Sequence, residues 1–239
     1  MIGVASVFWG DPERIVEEAA AAIDAGCGAV LVPSMPSGDM SPSHADYHPL
    51  WALLEERGIP FMLHIGGGGR PLPKAFHENG LEKTTDFLGG GENIRSKDYL
   101  MLHTLPEVFL GCMALDGVFE KFPGLRGGCI EQGALWVPAM LRRMDLAQQT
   151  FQKTEPALRL PMSASDYIRR QVRFTPFPTE PVGWLIEQAG EELFLFTSDY
   201  PHPEGGRDPL GRFEGAMTDV SEEAKERFYS GNFADMMGW

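Results

Sequence analysis

Phe61-Met-Leu-His-Ile-Gly-Gly-Gly-Gly69 and Leu193-Phe-Leu-Phe-Thr-Ser-Asp-Tyr-Pro-His-Pro203 decide the reading of this chain. Each is a short apolar run that reaches a metal-ligating residue type, His64 in the first and Asp199 in the second, and passes at once into loop residues. Ligating side chains at the C-terminal ends of buried parallel strands are where an α/β barrel keeps its chemistry. Two such ends, far apart in sequence, predict one site assembled from several strands.

Outward from these stretches the elements alternate. Ile2–Phe8 reads as a strand. Asp11-Pro12 then starts a helix, with Asp as the cap and Pro at the first helical position. Helix Pro12–Ala25 sets Ile15, Val16, Ala19, Ala22 and Ile23 on one face and stops at Gly26. Further strands are expected at Ala29–Val32, Ile59–Ile65, Arg126–Glu131, Val172–Pro176 and Leu193–Thr197. Helices are expected at Leu50–Arg57, Tyr99–Phe122 with a break near Gly111, Leu135–Gln149, Pro181–Ala189, Ser221–Tyr229 and Ala234–Met237. Pro33–His48, Gly66–Asp98 and Gln149–Arg170 read as long loops or insertions, the first two placed to shape a pocket. Strands alternating with helices mean parallel βαβ units in one domain over 1–239. Six units suit a doubly wound sheet, whereas a closed (β/α)8 barrel needs eight and about 250 residues. The chain has 239 residues, so its length points to the barrel and its strand count does not.

Composition excludes whole function classes. With 34 acids against 20 bases the formal net charge is −14, which argues against nucleic acid or an anionic membrane as partner, because phosphate binding is driven by Lys and Arg. The three cysteines, Cys27, Cys112 and Cys129, have no CxxC spacing and read as buried thiols in a reduced, cytoplasmic protein. No signal peptide and no apolar run of about 18 residues is seen. The Gly66–Gly69 run lacks the GKS/T of a phosphate loop and does not fit GxGxxG, and no GxSxG nucleophile elbow occurs.

Four residues are candidates for chemistry. His64, between a strand and four glycines, is either a metal ligand or general base, or a core histidine held by hydrogen bonds. Asp199 is costly to bury unless paired or bound to a cation; the bland alternative is a turn cap for Tyr200–Gly205. Glu131, at a strand end, is either a proton-transfer group or a first-turn acid for the helix from Leu135. His202 either lines the pocket, toward substrate, or is a plain loop histidine. His44, His48, His77 and His103 have no neighbours at ligand spacing and are read as structural or exposed.

The order of strand-His64-glycines, Val118-Phe-Glu-Lys-Phe-Pro-Gly-Leu-Arg126, Glu131-Gln-Gly-Ala-Leu-Trp-Val-Pro-Ala-Met-Leu-Arg-Arg-Met-Asp145, Phe196-Thr-Ser-Asp-Tyr-Pro-His202 and the closing Tyr229-Ser-Gly-Asn-Phe-Ala234 resembles the amidohydrolase-related family of metal-dependent hydrolases. The likeness is to the branch with aminocarboxymuconate-semialdehyde and resorcylate-type decarboxylases, and it covers most of the chain. It implies a TIM-type (β/α)8 barrel with one divalent metal, usually zinc with manganese as the alternative, held by His64 on the fifth strand and Asp199 on the eighth. It implies Asp199 and Glu131 as proton-transfer residues on a small carboxylated, cyclic or aromatic substrate. The family's opening His-x-His pair does not occur here. The six strands then correspond to strands three to eight, an N-terminally truncated barrel lacking its first two βα units, with a homodimer as the expected assembly. The rival expectation is an inactive barrel fragment; a nucleotide-binding doubly wound protein would need a glycine fingerprint where Phe8-Trp-Gly-Asp-Pro12 stands.

Overall fold

The computed structural model describes residues 2–35, 38–66, 72–82, 95–202 and 205–239. The glycine run beyond Gly66 and the middle of the long loop before Asp98 lie outside the described residues. In chain order the elements are β1 (Gly3–Ser6), α1 (Pro12–Asp24), β2 (Cys27–Leu31), α2 (His48–Arg57), β3 (Phe61–His64), α3 (Ser96–Tyr99), α4 (Thr104–Leu115), α5 (Val118–Lys121), β4 (Gly127–Ile130), α6 (Val137–Phe151), α7 (Ala164–Gln171), β5 (Val172–Phe174), α8 (Val182–Ala189), α9 (Pro209–Ala216), α10 (Glu222–Glu226) and α11 (Asn232–Met237).

The five strands form one parallel sheet in the order β1-β2-β3-β4-β5. The expected sixth strand is reduced to a single parallel bridge between Phe174 and Phe194. Phe174 donates its N–H to Leu193 and accepts one from Leu195. The run then leaves the sheet as Phe196 donates to the Phe228 carbonyl. Asn232, fully buried, donates through Nδ2 to the carbonyls of Glu191 (2.6 Å) and Phe194 (2.9 Å) and so pins this segment to the C-terminal helices. A π-helical turn at Arg227–Gly231 joins α10 to α11, merging what the periodicity separates into two helices.

The helices start and stop where the sequence signals lie. Asp11 caps α1 by accepting from the N–H groups of Glu13 and Arg14, and Gly58, at φ 65°, ends α2 in the left-handed region. The break in the 104–121 helical run falls at Gly117, φ 78°, not at Gly111, which stays helical inside α4. The supposed insertion before β5 contains α7, capped by Ser163 accepting from the Asp166 N–H.

Strand alternation divides the core in two. Val30, Phe61, Leu63 and Cys129 face the helices and join the main core with Trp51, Phe109 and Phe119. Ala29, Met62 and Leu195 face the other way and meet Met236 and Met237 of α11, with Leu31 and Ile130 packed alongside. Gly128 is needed there, because a Cβ would stand 2.7 Å from the Met62 sulfur and 3.0 Å from that of Met236. His64 alternates with Leu63, so it shares this second face and sits on β3 above the methionine floor.

Candidate active site at the strand ends

β3 and β4 run in register, with His64 opposite Ile130, so Glu131 leaves β4 one residue beyond the level of His64. The two side chains meet, His64 Nε2 lying 2.7 Å from Glu131 Oε2. His64 Nδ1 lies 2.7 Å from the carbonyl oxygen of Ile65. That contact takes the Nδ1 proton and aims Nε2 into the site, the usual device for orienting a ligating imidazole. The Glu131 carboxylate holds the His64 pKa above the ordinary imidazole range; partial burial opposes this, and the Ile65 carbonyl and the charges of Glu131 and Asp199 add to it.

Asp199 and His202 arrive from the loop after the Leu193 segment. The His202 N–H donates to the Asp199 carbonyl at 2.7 Å, closing a tight turn. His202 Nδ1 is 3.6 Å from Asp199 Oδ1 and 3.7 Å from Glu131 Oε1. Ligand atoms of Glu131, Asp199 and His202 all lie within 4.8 Å of one another. The carboxylates are largely covered, 13% and 11% exposed, while His64 and His202 are 38% exposed and open toward solvent. Gly205 lets the loop fold back: a Cβ there would run into the Ser198 carbonyl oxygen and stand 3.1 Å from Asp199 Cβ.

Both carboxylates carry a positive φ, 58° at Glu131 and 54° at Asp199, and they are the only non-glycine residues that do so among the described residues. A left-handed conformation at an L-residue costs about 1–2 kcal/mol, and such strain concentrates at functional sites. Backbone contacts support each: Glu131 N–H donates to Thr175 Oγ1 (2.9 Å) and Asp199 N–H to Thr197 Oγ1 (3.3 Å).

All four sequence candidates therefore come together, and their bland alternatives fare differently. Glu131 does not cap the following helix, and the turn ahead of that helix is held by Glu180, which the sequence reading passed over. Glu180, 5% exposed, accepts through Oε1 and Oε2 from the N–H groups of Ala134 and Leu135 ahead of α6, and from that of Phe177 on its own loop. The signal for it was an acid between prolines in Phe177-Pro-Thr-Glu-Pro181. The remaining histidines stay apart: His44 Nδ1 accepts from the Asp46 N–H, His48 Nδ1 is 2.8 Å from Lys121 Nζ, His77 Nε2 is 3.1 Å from Asp98 Oδ1, and His103 Nε2 is 3.8 Å from Glu107 Oε2.

The donor chemistry fits a divalent cation. The two carboxylates and one imidazole of Glu131, Asp199 and His202, with His64 against Glu131, suit manganese or zinc over softer ions. Ligand atoms bound at ~2.0–2.2 Å to one ion lie roughly 3–4 Å apart, as Asp199 and His202 do.

A parallel α/β sheet with titratable side chains gathered at the C-terminal ends of its strands is the layout of α/β enzymes, barrels among them. The family model described as amidohydrolase matches residues 1–238, and the chain belongs to that family. No curated protein matches it. Among solved structures, an amidohydrolase from Mycobacterium avium subsp. paratuberculosis K-10 matches with a TM-score of 0.77 at 25% identity, covering 99% of this chain and 58% of that one. 5-Carboxyvanillate decarboxylase from Sphingomonas paucimobilis matches with a TM-score of 0.74 at 19% identity, covering 99% and 66%. A dihydroxybenzoic acid decarboxylase from Polaromonas sp. JS666, with bound manganese and the inhibitor 2-nitroresorcinol, matches with a TM-score of 0.70 at 20% identity, covering 95% and 66%. The chain thus spans between 58% and 66% of the length of these three. Among the described residues no helix is long and apolar enough to cross a membrane.

Proposed function

We propose that this chain carries the metal-binding and proton-transferring residues of a divalent-metal-dependent enzyme acting on a small aromatic or cyclic carboxylate, with non-oxidative decarboxylation preferred over hydrolysis. The observation that carries this reading is the convergence of His64, Glu131, Asp199 and His202, two of them carboxylates in strained backbone, at the strand ends. The decarboxylase names of two similar structures, one holding manganese, support the substrate class and favour manganese beside zinc. The scaffold in this reading is a TIM-type barrel of which the chain supplies the third to eighth βα units.

His64 Nε2 and Asp199 would hold the cation, which when bound supplies a positive charge that draws and polarises a substrate oxygen. The chain's own groups do the rest. Glu131, which touches His64 and faces His202, carries the proton: decarboxylation of an aromatic acid needs one proton delivered to the ring carbon as the C–CO2 bond breaks, so that ArCOO⁻ and H⁺ become ArH and CO2. The 2.7 Å contact between Glu131 Oε2 and His64 Nε2 sets this carboxyl beside the nitrogen that would hold the cation, so the proton Glu131 delivers is its own. Asp199, 3.6 Å from His202, holds that imidazole toward the substrate carboxylate. The floor of Met62, Ile130 and Met236 under the site keeps water from the apolar side.

Metal analysis of the purified 239-residue chain tests this, beside His64→Ala and Asp199→Ala. Near one equivalent of manganese or zinc, lost in both variants, supports the reading. A folded wild type that takes up neither metal would overturn it, and favour the inactive-fragment alternative.

A further inference from the structure

The loop bearing Glu131 is not self-supporting. Its first N–H, at Glu131, donates to Thr175 on the loop after β5. Three residues on, the Ala134 and Leu135 N–H groups donate to Glu180 on that same loop. Between these anchors stands Gly133, at φ 65°, where a Cβ would be 2.9 Å from Glu180 Oε1 and 3.0 Å from the Phe177 ring. Glu180 also binds its own loop through the Phe177 N–H at 2.8 Å, so one buried carboxylate ties two loops together. Burial pushes the Glu180 pKa up and the three N–H groups pull it back. A buried acid is expensive, and both of its oxygens are here spent on backbone of the site loops.

We propose that Thr175 and Glu180 are positioning residues: the loop after β5 clamps the loop after β4 at both ends, and this clamp holds Glu131 in its left-handed backbone so that its carboxylate reaches His64 and His202. The inference rests on the metal-site reading above. It assigns a function to two residues that touch neither histidine, and it makes the site a product of adjacent loops, with β4 alone insufficient to aim Glu131.

The test is Mn2+ affinity by electron paramagnetic resonance on the full chain, measured with thermal melting and amide hydrogen exchange, for Thr175→Val, Thr175→Ser and Glu180→Gln. Thr175→Val keeps the shape and removes the acceptor; Thr175→Ser restores it. The expected result is about a tenfold or greater weakening of Mn2+ binding in Thr175→Val and Glu180→Gln, the scale of supporting residues around metal sites, with Thr175→Ser near wild type. Exchange at Glu131, Ala134 and Leu135 should quicken in the two weakened variants. A lower melting temperature with unchanged Mn2+ affinity would mean a merely structural role and overturn the proposal, as would Thr175→Ser behaving like Thr175→Val. Absence of Mn2+ binding in the wild type would instead sink the metal reading. Exchange then decides the clamp alone, unchanged protection at Glu131 overturning it and lost protection supporting it.

Discussion

Replacing Glu131 by Gly and, separately, by Ala isolates the cost of its backbone. Both variants remove the carboxylate and its contact with His64, and both keep the N–H that Thr175 accepts, so those effects cancel in the comparison. What remains is φ 58°. An alanine held there suffers the left-handed penalty of about 1–2 kcal/mol, which glycine escapes. Glycine in turn gains freedom in the unfolded chain, about 0.4–1 kcal/mol against it. The difference leaves Glu131→Gly more stable than Glu131→Ala by roughly 0–1.6 kcal/mol, the reverse of the order at an ordinary position. For a chain of this size 1 kcal/mol is worth about 2–4 °C in melting temperature. Equilibrium urea unfolding, with the slope held common to the two variants, reads the difference directly. Glu131→Ala more stable than Glu131→Gly would refute the strained conformation, and with it the view that stability is given up to aim this carboxylate.

Gly205→Ala should weaken Mn2+ binding by about tenfold or more, because its Cβ is driven into the Ser198 carbonyl beside Asp199; binding at wild-type strength would show that this loop accommodates the methyl without moving the acid. Asn232→Ala should cost about 1–3 kcal/mol by leaving the Glu191 and Phe194 carbonyls without their buried donor, read as a fall in urea midpoint, and a change within error would deny Asn232 its anchoring role. In chelator-treated protein the raised His64 pKa favours folding fully below the ordinary imidazole value, and that contribution fades as pH climbs through the folded value. Glu131→Gln should flatten this loss between neutral and mildly alkaline pH, and a urea midpoint with the same pH slope in both proteins would contradict the His64–Glu131 coupling.

Parallel order and strand ends were legible because buried strands announce themselves: Phe61–His64 and Leu193–Phe196 are apolar runs cut off by a ligating side chain and loop residues. His64, Glu131, Asp199 and His202 could be picked singly for that reason, but their contacts could not, since no local pattern encodes which loops face each other. Three misreadings have physical causes. Gly111 and Gly117 look alike in sequence, and only the fold decides which is used for its conformation and which simply sits in a helix. Helix α7 was hidden inside a supposed insertion, although Ser163 and Asp166 carry a cap signal, because the charges of Arg169 and Arg170 mask its apolar face of Ala164, Tyr167 and Ile168. The sixth strand shrank to one bridge because Asn232 and Phe228 draw the Leu193–Phe196 backbone toward the C-terminal helices, an attachment that lies outside any short sequence window.

The register of β3 on β4 has a consequence for what the site can be tuned to hold. His64 and Ile130 are cross-strand neighbours, and neighbouring strands stand ~4.8 Å apart whatever their side chains are. The hydrogen-bond ladder therefore acts as a fixed gauge: the pivots of the reacting groups are set by backbone pitch, not by the residues mounted on them. Substitution can change the basicity, charge or reach of each arm, yet the base on which the arms stand keeps its width. In the proposed reading, variation at these strand ends redirects the chemistry from one small anion to another while the grip remains sized for a single ion and the few oxygens that crowd around it.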